Sequence, residues 1–111
     1  MSARSEMLDL LREKVRAPIE KHAGEILESF GGDKERAAAF QKARADLDSM
    51  IERLEEDELK GLRKELDAHA AELNDAIKAL QSSLSKVKDA ETAARVFWRV
   101  VGIAARIIAL A

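Results

Sequence analysis

Apolar residues recur at helical spacing along most of the chain, and the spacing changes character twice. Leu8, Leu11, Val15, Ile19, Ile26 and Phe30, with His22 among them, are separated by three or four residues or by a pair of such steps. That pattern lays one stripe along a nearly straight α-helix. Pro18 falls inside the stripe and has no amide proton, so the sequence predicts a kink there or a helix restart just before it. Gly31-Gly32-Asp33 joins a C-terminal glycine pair to a fresh N-cap, which ends the first helix, 1–30, in a turn at 31–33.

The second stretch reads as heptads: Phe40, Leu47 and Leu54, then Leu59, Leu66, Leu73, Leu80 and Val87. Leu59 follows Leu54 by five residues rather than seven, which rotates the apolar face by about 140°. Either one long helix spans 33–86 with its halves covered from different sides, or the chain reverses near 55–61. The four consecutive acids Glu55-Glu56-Asp57-Glu58 are poor turn chemistry, so continuity is the preferred expectation. Ser82, Ser83 and Ser85 mark the next junction, with Asp89 as N-cap of a last helix over 89–111. The predicted fold is therefore all-α: a single domain of three helices of about 40, 80 and 34 Å, packed as long antiparallel hairpins with coiled-coil heptads. A four-helix bundle is the alternative. A seam of Leu59, Leu66, Leu73, Leu80 and Val87 covered by only one helix would leave ridges in water, which predicts a homo-oligomer.

The last stretch is of another kind. Fifteen of the 20 residues from Thr92 to Ala111 are Ala, Val, Ile, Leu, Phe or Trp. Arg95, Arg99 and Arg106, with Lys88 and Gly102, fall in one narrow strip, leaving an apolar arc of about 260°. A two-layer hairpin cannot cover such an arc. The helix must sit at the centre of a bundle, lie in a membrane interface, or line a lumen. Spanning as a lone helix is opposed by Arg99 near its middle, at a cost of roughly 2.5–3.5 kcal/mol. Trp98 beside the strip suits lipid headgroups. Arg95, Phe97, Trp98, Arg99 and Arg106 are thus the expected contact surface for an anionic membrane or a protein partner. Nucleic acid is disfavoured because the remainder of the chain is acidic.

Composition narrows the chemistry. The 111 residues contain no cysteine, which removes disulfides, thiolate metal sites and cysteine nucleophiles, and the expected compartment is the cytoplasm, peripheral to a membrane. Arg4, Glu6, Asp9, Arg12 and Glu13 interrupt the first fourteen residues, so a secretory signal is not expected. The formal net charge is −2, but the first 91 residues carry 16 basic against 21 acidic side chains. Seven acids between Asp46 and Glu58, against Arg53 alone, read as a solvated face or as a receiver for the arginines of a neighbouring subunit. His22 with Glu25, and His69 with Glu65 and Glu72, lack the Glu-x-x-His spacing of a di-metal bundle and read as seam histidines, with no metal or cofactor assigned. Ser82 and Ser83 lack a nucleophile elbow, and Gly31-Gly32 lacks the Lys-Ser/Thr of a phosphate loop. The expectation is a non-enzymatic, self-associating helical protein that engages a membrane or partner through its C-terminal helix; a helical-bundle adaptor or inhibitor acting by protein–protein contact is the alternative.

Overall fold

The computed structural model describes residues 2–85 and 90–111; Val87, Lys88 and Asp89 fall outside that set. Among the described residues every element is helical. The first rod joins α1 (Ala3–Asp9), a π-helical stretch π1 (Leu10–Arg16) and α2 (Ala17–Ser29) without interruption. The Ser2 side chain caps α1 by accepting from the Ser5 amide. The Ala17 amide donates to the Arg12 carbonyl five residues back, the mark of the wider turn. Pro18 explains the placement: an ordinary helix would bring its ring against the carbonyl four residues earlier. Opening the backbone just ahead of it lets the helix continue where the sequence suggested a kink or restart.

The widened turn also changes which residues are buried. Met7, Leu11, Val15, Ile19 and Ala23 advance in steps of four, followed by Ile26 and Phe30. In a pure α-helix each step of four overshoots by about 40°. A turn holding more residues absorbs the drift, and Met7 and Ala23 take the core positions expected of Leu8 and His22, which are half-buried.

Gly31 and Gly32 adopt φ of 60° and 89°, a left-handed pair that turns the chain out of the rod. The Asp33 carboxylate then accepts from the amides of Glu35 and Arg36 and starts α3 (Lys34–Glu56). α3 stops at the extended Asp57, and α4 (Leu62–Leu84) begins after Gly61. The helix expected over 33–86 is therefore two, and with α5 (Ala90–Leu110) the described residues form four rods. The heptad offset is the reason. A continuous helix of about 80 Å would present its two apolar faces about 140° apart, whereas the protein extends only 43 × 23 × 19 Å and both faces meet one core. The acids hasten the break, since Glu55 and Glu56 occupy a helix C-terminus, where the macrodipole disfavours negative charge.

Cross-links give the directions. Arg12 pairs with Glu55 at 2.7 Å and Arg16 with Asp48 at 3.6 Å, so α3 runs antiparallel to the rod. Arg63 at the start of α4 meets Glu6 at 2.7 Å, making α4 parallel to the rod, and α5 returns along α4 until Ala111 reaches Gly61. α4 and α5 are the most closely packed pair, whereas the consecutive helices α3 and α4 barely touch. The core includes an edge-to-face chain of Phe30, Phe40 and Phe97, with ring centroids 6.1 and 5.7 Å apart, that links α2, α3 and α5.

Two glycines separate conformational cost from close approach. The Gly61 amide donates to the Ala111 backbone oxygen at 3.3 Å, and a Cβ on Gly61 would stand 2.9 Å from that oxygen. Gly24, exposed within α2, has open space around it. Gly24→Ala should raise stability by about 0.5–1 kcal/mol and Gly61→Ala should lower it by about 1 kcal/mol, measured by urea denaturation.

Candidate functional site

α5 separates its residues more sharply than any other element. Nine of them, Phe97, Val100, Val101, Ile107 and Ile108 among these, are buried against α2, α3 and α4. Of the three arrangements open to this helix, the described structure contains the bundle. Arg95, Arg99 and Arg106 stand exposed on one strip with Gly102, as the helical angles required. Phe97 does not join them: it is fully buried in the aromatic chain. Trp98 is half-buried, and its indole N–H donates to the Ala39 carbonyl of α3 at 3.4 Å.

The strip has two distinct ends. Arg106 lies 3.9 Å from Glu72 of α4, both side chains being well exposed. At the other end, Arg95 and Trp98 converge with Phe30, Arg36 and Glu91 around a cleft of about 400 Å³. Arg36 is already committed there, to Glu91 and, at 3.5 Å, to Asp33. Among the described residues Arg95 and Arg99 have no ion-pair partner, so the strip keeps two uncompensated guanidinium groups.

The acids between Asp46 and Glu58 are occupied differently from the inter-subunit pairing considered above. Asp48 and Glu55 pair with Arg16 and Arg12 of the rod, while Asp46 and Asp57 pair with Lys42 and Arg53 on α3 itself. The heptad seam is likewise used at home. Leu66, Leu73 and Leu80 are buried within one chain and Leu59 is half-buried in the α3–α4 connection, so covering these leucines needs no second copy; Val87 lies outside the described residues. Leu62, Ala76 and Ile77 share that buried face. They were legible only as ordinary three-and-four spacing, which the seven-residue reading passed over.

The histidines sit apart on α2 and α4. His22 Nδ1 is 3.5 Å from a Glu25 carboxylate oxygen. The His69 ring N–H donates to the Glu65 carbonyl at 2.9 Å, a bond that fixes the ring against its own helix. Among the described residues no group of three His, Asp or Glu side chains could hold a metal ion, and no helix is long and apolar enough to cross a membrane.

Burial separates energetically the five residues expected to form a contact surface. Phe97→Ala should cost about 3–5 kcal/mol by leaving a cavity in the aromatic chain, whereas Arg99→Ala should change stability by less than about 0.5 kcal/mol, both read from chemical denaturation. No family model, curated protein or solved structure matches the chain.

Proposed function

We propose that this protein is a non-enzymatic helical-bundle adaptor or inhibitor that works by protein–protein contact, with the arginine strip of α5 facing an acidic surface of its partner. The observation that carries the reading is the division of α5, whose apolar residues are buried in the bundle while Arg95, Arg99 and Arg106 remain exposed. An interfacial helix sinks a free apolar face about 5–10 Å into lipid. The folded chain offers no such face, because Leu110, 58% exposed, is its only exposed large hydrophobic side chain among the described residues. What the strip does offer is charge of one sign on a rigid helix, which steers association and selects complementary surfaces. The heptad leucines serve this reading as an internal seam and the strip as the outward face.

The test compares the full chain with an Arg95→Glu, Arg99→Glu, Arg106→Glu variant. The unmodified protein should be retained on immobilised polyglutamate at low salt and released as the salt rises past about 0.15 M. The variant should not be retained, and above about 0.15 M salt, where the charge attraction is screened, neither protein should pellet with phosphatidylserine vesicles. Pelleting of the unmodified protein that depends on Phe97, Trp98 and the arginines would overturn the reading in favour of α5 leaving the bundle for a lipid interface.

A further inference from the structure

On a different face, where α1 and π1 run parallel to α4, the bundle leaves open a cleft of about 440 Å³. The apolar surface it offers comes from Leu10 of π1 and Ala70 of α4, both half-buried, with the buried Leu66 and Leu73 also in its wall. Ala70 is the smallest side chain in that lining, where α4 passes α1 and π1. The volume lies within the range of small-molecule sites, which run from about 300 to 1,000 Å³.

The rim is mostly acidic. At one end Arg63 donates to Glu6 at 2.7 Å and to Asp67 at 3.1 Å. These bonds, the one to Glu6 first, hold the guanidinium more firmly protonated than usual. One fixed cation between two carboxylates leaves that end with a surplus negative charge. Further along the rim, Asp9 and Glu13 have no ion-pair partner among the described residues, and Lys14 offsets only one of them.

We propose that this cleft binds an amphiphilic organic cation, with its ammonium at Asp9 and Glu13 and its hydrocarbon body over Leu10 and Ala70. An anion of the same shape meets a rim of its own sign. A neutral amphiphile gains the apolar surface but not the carboxylates, and a divalent metal ion gains carboxylates but finds no oxygen ligands on the apolar surface. The site is independent of the α5 strip, so either can fail without the other.

Titration of the full chain with octylammonium, octanol and octanoate, followed by calorimetry and amide chemical shifts, tests the assignment. Octylammonium should shift the amides of residues 66–73 and bind at least tenfold more tightly than octanol, with octanoate weakest. Hexylammonium should bind severalfold more weakly than octylammonium. Asp9→Asn with Glu13→Gln, both exposed positions, should bring octylammonium down to the affinity of octanol while leaving octanol unchanged. Ala70→Leu should fill the cleft and abolish binding of both. Octylammonium binding no tighter than octanol, full affinity in the Asn/Gln variant, or shifts confined to α5 would each overturn the proposal.

Discussion

A helix that is apolar around roughly 260° of its circumference cannot rest on a single neighbour, and the arrangement of this protein removes that arc of α5 from water. α4 takes one flank, α3 the other, and α2 closes the inner side. The break at 57–61 belongs to the same constraint, because only a chain reversal there can bring the apolar faces of α3 and α4 to opposite flanks of one helix. Full burial of a side chain such as Phe97 or Ile107 is worth about 1.5–3 kcal/mol, whereas an exposed ion pair contributes about 0–1 kcal/mol. Apolar burial therefore holds the bundle together, and the charges have a different task.

That task is register. Arg12–Glu55, Arg16–Asp48 and the two-pronged Arg44–Glu20 contact link the rod to α3 along most of its length, each with exposed or partly exposed partners. Sliding α3 by one turn would keep much of the apolar burial and break all three. Arg44 also lies over the Phe40 ring, 5.8 Å from its centroid, which ties the charged seam to the aromatic chain. Of the acids between Asp46 and Glu58, the rod thus counters Asp48 and Glu55, while Asp46 and Asp57 are met by Lys42 and Arg53.

Much of this was legible in the sequence because it depends on local rules. The all-α character followed from the helical spacing of the apolar positions, the turn at Gly31-Gly32-Asp33 from glycine and capping chemistry, and the arginine strip from helical angles. What escaped depends on events between elements. Met7 replaces Leu8 in the core only because π1 changes the residues per turn, and Pro18 hinted at a disturbance without saying that the helix would widen rather than bend. Asp57 to Gly61 carry weak turn chemistry, and the chain turns there because tertiary burial outweighs local preference. Phe97 looked like a companion to Trp98, yet a 100° step between neighbouring residues places one ring in the core and the other at its edge. The cleft beside Ala70 had no sequence signal at all, since it exists only where α4 passes the widened turn of the rod.

The position of α5 also bears on how the protein comes into being. It follows in the chain every helix it packs against. At synthesis rates of about 5–20 residues per second, α2, α3 and α4 wait roughly 1–4 s for its 21 residues after they themselves have been made. During that interval α4 lacks the helix against which it packs most closely. The nascent chain thus displays apolar ridges that the folded bundle hides, a condition that favours capture by a chaperone until α5 leaves the ribosome.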